Sequence, residues 1–279
     1  MQKYFRCLVS FIAVVAIIGA SQAGAWEQKR IICKNPEAQK IMDQVYGMLV
    51  KDLSAASFKA VIPLVEKATT LEPDNDQIWV ELAGDYWAVG DSLPKDTDAQ
   101  KKERKAWFDK GITAAEKALS LRDTAGANFW WSCNTAAQGE MVSIMATVPK
   151  YPKLRKHTDR ADQLDPNYGH GATARFWSEV IARIPDIAVK AAGMKPEDAI
   201  DTIQTQVKKD PTFLDNYNYL ARYMVRLKKN DEALKYLDMV LKADPKKTSD
   251  PALVSSNIEA VKTAKALWKK YTGKDYPNR

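Results

Sequence analysis

Histidine is almost missing from this chain, with two among 279 residues, and cysteine is scarce at three. Acid–base chemistry would have to rest on carboxylates, and no spacing of His157, His170 and the cysteines suits a metal site. The chain also lacks a Gly-x-Ser-x-Gly elbow, a phosphate loop ending in Gly-Lys-Ser/Thr, and a His-Glu-x-x-His pair. Acidic pairs such as Glu197-Asp198 and Asp231-Glu232 sit at expected helix starts, where they complement the helix dipole and need no catalytic role. The residues therefore point to a protein that is not an enzyme and carries no cofactor and no metal. Alternation of apolar and polar residues is equally scarce, which leaves little room for strands.

What is present begins with an export pattern. Lys3 and Arg6 precede an apolar run from Leu8 to Gly19, followed by the small residues Ala23-Gly24-Ala25. That is the layout of a secretory signal, and the run is short of the roughly 20 apolar residues that a membrane span needs. The expected organisation is a signal peptide over 1–25, cleaved near Ala25, and one domain over 26–279 located in the periplasm. No cysteine lies among residues 15–21, so a lipid anchor is unsupported. No later segment is long and apolar enough for a membrane span in the mature protein.

Hydrophobic residues make up 46% of the chain, which excludes global disorder. Without Lys3 and Arg6, 40 basic residues face 35 acidic ones, a net charge of +5. The excess is mild and the basic pairs have acids close by, so nucleic acid is not an expected partner. Cys33 and Cys133 remain after cleavage. An oxidising compartment would let a disulfide persist, provided their Cα atoms lie within about 7 Å, and the sequence leaves both a bridge and two separate thiols open.

Apolar residues recur at three and four positions throughout, and the chain repeats itself. Pro211 and Pro245 stand 34 residues apart, each after a similar Asp-Pro ending, and 34 is the tetratricopeptide period. Between them Tyr217, Leu220 and Ala221 fill a first helix, and Ala233, Leu237, Val240 and Leu241 fill a second. Ala221 and Ala233 belong where the helices of the hairpin approach most closely, and Asn230-Asp231 is the expected turn and cap. A second copy starts at Pro73, with Trp79 six residues on, as Tyr217 is from Pro211, and continues through Leu82, Ala83 and Tyr86. Its partner helix comes late, behind a polar segment from Gly90 to Lys102 that either interrupts the hairpin or lengthens its helices. Asp165-Pro166 is a third terminator. A final helix, about 251–271, presents Ile258, Val261, Ala264, Leu267 and Trp268 as one stripe and would cap the stack. The expected fold is all-α: a tetratricopeptide-like helix-hairpin superhelix with degenerate repeats and a C-terminal capping helix.

Two blocks in the middle depart from a generic repeat. One is Asn128-Phe129-Trp130-Trp131, followed by Gly139 and Ser143. The other is Leu164-Asp165-Pro166-Asn167-Tyr168-Gly169-His170-Gly171-Ala172, followed by Arg175 and Pro185. With the hairpins that follow, this succession resembles the T component associated with tripartite ATP-independent periplasmic (TRAP) transporters. The resemblance implies an all-helical periplasmic protein that docks a soluble solute-binding protein and assembles into homo-oligomeric rings; the missing lipid anchor departs from its pattern.

Candidate binding residues follow from chemistry and position. Tyr168, Gly169, His170 and Gly171 form a turn before the helix that carries Arg175 and Trp177. Either it faces a ligand, with His170 and Arg175 as donors, or it is a tight connection whose glycines adopt positive φ. Trp130 and Trp131 point about 100° apart on one helix, so at most one faces the innermost core and the other is a candidate for the concave wall. Trp79, Tyr86, Tyr217 and Tyr219 carry the same ambiguity, with a structural role favoured for the repeat positions Trp79 and Tyr217. The leading expectation is a non-catalytic accessory of solute uptake that docks a solute-binding protein and holds a small, partly apolar ligand. The alternative is an envelope scaffold whose concave groove takes a peptide or helix from another envelope protein.

Overall fold

The computed structural model describes residues 29–143, 148–191, 194–195, 197–248 and 250–277, so the expected signal segment lies outside the described residues. Among these residues the structure is helical, with no strand. In chain order the helices are α1 (Pro36–Leu49), α2 (Ala55–Leu71), α3 (Asp76–Ser92), α4 (Asp98–Leu121), α5 (Ala125–Val142) and α6 (Tyr151–Leu164). There follow α7 (Ala172–Arg183), the short α8 (Asp186–Ala191), α9 (Asp198–Lys209), α10 (Asp215–Arg226), α11 (Asn230–Lys242) and α12 (Leu253–Thr272).

The helices pair into hairpins, mostly with a neighbour in sequence but for α7 with α9 across the short α8, and the hairpins stack through their first helices: α3 touches α5, α5 touches α7, α7 touches α10, and α10 touches α12. No comparable series joins α4, α6, α9 and α11. In a stack of hairpins the layer whose members touch at every step is the tighter one, on the inside of the curve. The first helices are accordingly buried nearly all round, as over Leu82–Asp91 of α3 and Ala125–Thr135 of α5. This is a helical-repeat arrangement, and no helix among the described residues is long and apolar enough to cross a membrane.

The recurring sequence marks have physical causes. Asp165, Asp210 and Asp244 each precede a proline and accept from the backbone N–H two residues on, at 2.9, 3.1 and 2.9 Å. Proline supplies the fixed φ and the carboxylate supplies the turn's acceptor, so Asp-Pro ends α6, α9 and α11 alike. The aromatic six residues after the proline closes the same turn in two repeats. Trp79 Nε1 donates to the Pro73 carbonyl at 3.0 Å, and the Tyr217 hydroxyl donates to the Pro211 carbonyl at 3.3 Å.

The polar stretch after Gly90 lengthens its hairpin. α3 runs on to Ser92, and α4 opens with a capping box of Thr97 and Gln100. The buried Arg104 ties the two by donating to Leu93 O at 2.6 Å and Asp91 Oδ1 at 3.0 Å. Ala221 and Ala233 are both fully buried in the core of α10, α11 and α12. Two details differ from expectation. α11 starts without a side-chain cap, so Asn230 is its first residue and not its cap. Ile258 is exposed, because the buried stripe of α12 runs through Leu253, Asn257, Ala260, Ala264 and Leu267. Cys33 and Cys133 are free thiols, one half-buried beside α1 and the other buried within α5, so the open question of a bridge is answered by two separate cysteines.

Candidate binding groove

The starts of the first helices surround a cavity of about 540 Å³. Its walls are Gln77, Val80 and Glu81 of α3, Gly126 and Trp130 of α5, and Tyr168 from the turn before α7, with Ile31 and Ile32 at the rim. Trp130 reaches this wall by lying across α3. A Cβ added at Gly84 would sit 2.9 Å from the Trp130 ring, so only glycine lets the indole come this close. Trp87 adds a second indole, its centroid 5.9 Å from that of Trp130. Tyr168 stands on the other side, its ring 5.6 Å from that of Phe129.

The cavity lining is mixed in charge, with Lys29, Arg30 and Arg122 beside Asp76, Glu81, Asp123 and Asp165, although the two helices that form its main wall are acidic. α3 carries Asp76, Glu81, Asp85 and Asp91 and no lysine or arginine, and α5 likewise contains neither. Asp76 is answered by Arg122 at 2.9 Å and Asp91 by Arg104 at 3.0 Å, both reaching in from α4 or its end. Asp85, one turn beyond Glu81, is fully buried and neither carboxylate oxygen has a hydrogen-bond partner. Burial pushes its carboxyl well above the usual range, and the negative charge of Glu81 adds to the effect.

The Tyr168–Gly171 turn is built differently. Gly169, His170 and Gly171 take φ of 50°, 54° and 85°, three left-handed residues in succession. Gly171 has no room for a side chain, since a Cβ would meet Gln206 Cγ at 2.4 Å. Arg175 holds the turn. It donates to Gly169 O at 2.5 Å, His170 O at 2.8 Å and Asn216 Oδ1 at 2.8 Å, with its guanidinium 4.8 Å from the Phe213 ring centre. His170 stacks on the same Phe213 ring at 4.8 Å and meets Asp210 through Nδ1 at 3.1 Å.

A charged cluster continues from Arg175 along α7 and α10. Arg222 lies 3.5 Å from Glu179 and 5.0 Å from the Tyr219 ring centre. Burial pushes the Asp215 carboxyl up while Arg175 and Arg222 pull it down, and burial wins. Burial likewise lowers Arg175 against the pull of Asp215. At Arg222 burial is the largest single influence, but Glu179, Tyr219, Asp215 and Tyr271 together outweigh it and hold the guanidinium more firmly protonated.

Of the residues singled out from sequence, Trp130 and Tyr168 thus come together in the cavity wall. Trp131 turns outward to α4 and α6, where it stacks on His157 at 4.1 Å and donates to Glu116 at 3.3 Å. Trp177 packs against α6, with Nε1 donating to Thr158 Oγ1 at 2.9 Å and Arg155 4.2 Å above its ring. Arg175 and His170 are committed to the turn. Leu82, Tyr86, Leu220, Trp79 and Tyr217 are packing or turn-closing residues. Val80, Glu81 and Asp85 were not singled out, although two acids four residues apart in a helix without a basic residue were visible.

Among known families, the model described as regulator of microtubule dynamics protein 1-3 matches residues 51–272. The chain belongs to this family. The match runs from before α2 to the end of α12, so the whole groove except its rim over residues 29–32 lies within the regulator of microtubule dynamics region. It corrects the resemblance to the TRAP-associated T component, which rested on the Trp130-Trp131 and Leu164–Ala172 blocks. Both blocks fall inside the regulator of microtubule dynamics match, and the structure accounts for them by packing. They ask for a tryptophan pair between helix layers and a left-handed turn clamped by an arginine, neither of which specifies a transporter. Curated protein sequences give no match to the chain.

Proposed function

We infer that the chain is a non-catalytic interaction protein of the cell envelope, which takes a helical or extended segment of a partner protein into the groove formed by its first helices. The observation that carries this reading is the cavity itself. Its wall combines large aromatic surfaces, Trp130 and Tyr168, with apolar Val80 and an acid, Glu81, at the edge of the stack where a segment can enter. Aromatic anchors in a desolvated pocket with a few polar groups are what dominates affinity at protein interfaces. The family is described as a regulator of microtubule dynamics, and a regulator that acts by docking on another protein is the part of that description which the groove supports. The export pattern over Lys3–Ala25 is the basis for placing the partner in the envelope.

A photo-crosslinking residue in place of the exposed Gln77 on the cavity wall, and another in place of the exposed Lys117 on the outer layer, test the reading in intact cells. A discrete partner adduct from position 77 and none from 117 is expected. Adducts from 117 alone would move the interface to the outer layer and overturn the proposal.

A further inference from the structure

Ile32 and Leu164, two large apolar side chains left 69% and 38% exposed, both line the groove cavity. The wall between them is apolar and closely fitted. A Cβ added at Gly126 would sit 2.7 Å from Val80 Cγ1 and 3.0 Å from the Tyr168 hydroxyl, so glycine is what lets these two side chains meet in one wall. The charged residues of the lining are already engaged. Arg122 pairs with Asp76 at 2.9 Å, Arg30 with Asp43 at 2.6 Å, and Arg160 with Asp123 at 2.7 Å. Asp165 accepts from the Asn167 amide at 2.9 Å, and Lys29 and Glu81 have interactions of their own. A lining whose ions are matched in this way offers a charged ligand little that it does not already have in water, and what it leaves uncovered is apolar surface.

An occupant must also bring its backbone into this place. An extended segment would arrive with unpaired N–H and C=O groups, and the described residues contain no strand whose edge could take them. The charged side chains of the wall, committed within the protein, do not replace that edge. A helix satisfies its own backbone and turns only side chains toward the cavity, with those at i and i+4 on one face. At about 540 Å³ the cavity has room for more than one such side chain. We propose that the groove takes the apolar face of an amphipathic helix of the partner, with large uncharged side chains at i and i+4 seated among Ile32, Val80, Trp130 and Leu164. The proposal rests on the groove reading above and adds the partner's chemistry: helical, apolar at the contact, and held without a salt bridge.

The test uses the purified chain and two uncharged peptides of one composition, built from alanine, glutamine and leucine. In the first the leucines recur at three and four positions, on one helix face, and in the second they are scattered round the helix. The Gly126 amide and the Trp130 indole N–H report binding by their shifts. The first peptide should bind at least tenfold more tightly than the second, and equally at low and high salt. Ile32→Gln combined with Leu164→Gln should weaken it at least tenfold, and each single change should weaken it by less. Ile187→Gln, which removes an exposed apolar side chain outside the cavity lining, should change nothing. Equal binding of the two peptides, loss of binding at high salt, or a preference that survives the double substitution would overturn the proposal. The adduct from position 77 keeps the two readings apart once its partner peptide is sequenced. No adduct sinks the groove and the helix with it, whereas an adduct in a segment rich in proline or charge sinks only the helix.

Discussion

Asp85 and Asp215 are both buried carboxylates on first helices of the same stack, and they live in opposite surroundings. Asp215 on α10 faces Arg175 and Arg222, accepts from the Asn218 amide at 3.2 Å, and belongs to a cluster whose charges offset one another. Asp85 on α3 feels the charge of another acid, Glu81, and its carboxylate oxygens have no hydrogen-bond donor among the described residues. The α7–α10 step is thus held by a polar network, and the α3–α5 step by indole surface and a close glycine contact at Gly84. A buried acid with its cations in place is explained by the fold. One without them costs stability, and in this scaffold the two kinds are equally hidden.

The largest effect should come from removing the hub of the α7–α10 network. Arg175→Ala would strip donors from the carbonyls of Gly169 and His170 and from Asn216, and would leave Asp215 short of a cation. Breaking a buried pair from one side costs about 3–5 kcal/mol, although the intact pair adds little net stability. Urea unfolding should register that loss, and Arg175→Lys should recover only part of it, because an ammonium cannot reach three acceptors as a planar fork does. A loss under about 1 kcal/mol would show that the left-handed turn stands without its clamp and that the contrast between the two steps is only apparent.

At the α3–α5 step the corresponding change is Gly84→Ala. The new methyl would press on the Trp130 ring at 2.9 Å, and the ring is itself wedged against Phe129 and Trp87. Overpacking of this kind costs about 1–3 kcal/mol. The displaced indole should also blunt the groove, so partner crosslinking from position 77 is expected to fall with stability. Normal stability and normal crosslinking together would mean that Trp130 moves freely and cannot anchor anything.

These two steps also show what the sequence could and could not tell. The hairpin stack was legible because its causes are local: the Asp-Pro turn, the aromatic six residues on that closes it, and small residues at Ala221 and Ala233. The Trp130-Trp131 pair was legible only as an ambiguity, since which tryptophan faces which layer depends on where α3 and α6 pack. Arg175 looked like a ligand donor because its three acceptors come from residues 169, 170 and 216, two of them backbone atoms with no trace in residue type. The transporter resemblance failed for the same reason, being built on blocks that any tightly turned helical stack can contain. Asp85 was missed outright, because an acid pair such as Glu81 and Asp85 in a helix looks solvated until burial is known.

Asp85 inside α3 and Asp210 at the end of α9 should respond to pH with opposite signs. The Asp210 carboxyl is held down at about 2, first by its hydrogen bond with His170 and then by Thr212, against a burial effect that would raise it. A depressed folded value means stability that is present above the unfolded value of 3.8 and lost as pH falls toward 2. Asp210→Asn should therefore cost roughly 1–2 kcal/mol at neutral pH and nothing near the acid end. Asp85 has a raised folded value through burial and Glu81, so the wild-type protein loses stability as pH rises above 3.8. Asp85→Asn should be neutral near pH 3 and increasingly stabilising as pH rises toward 7. Parallel pH profiles for the two variants would contradict the assignment of one as paired and the other as unpaired.

The smallest effect concerns the turn that the two ends of the stack share. The Tyr217 hydroxyl donates to the Pro211 carbonyl at 3.3 Å, and Tyr217→Phe removes that oxygen while leaving the ring in the α10–α11 core. The bond is long and its acceptor can turn to water, so the cost should sit at the low end for a hydrogen bond, about 0.5–1 kcal/mol. Trp79 makes the equivalent bond from Nε1 at 3.0 Å, but Trp79→Phe also removes part of the ring that covers the turn after α2. Its cost should exceed that of Tyr217→Phe by the lost apolar area, roughly 0.8 kcal/mol for each methylene-sized piece uncovered. Differential scanning of both variants reads the pair. If Tyr217→Phe is silent while Trp79→Phe is not, the two repeats share ring volume at this position and not the hydrogen bond, and the spacing from proline to aromatic is a packing rule alone.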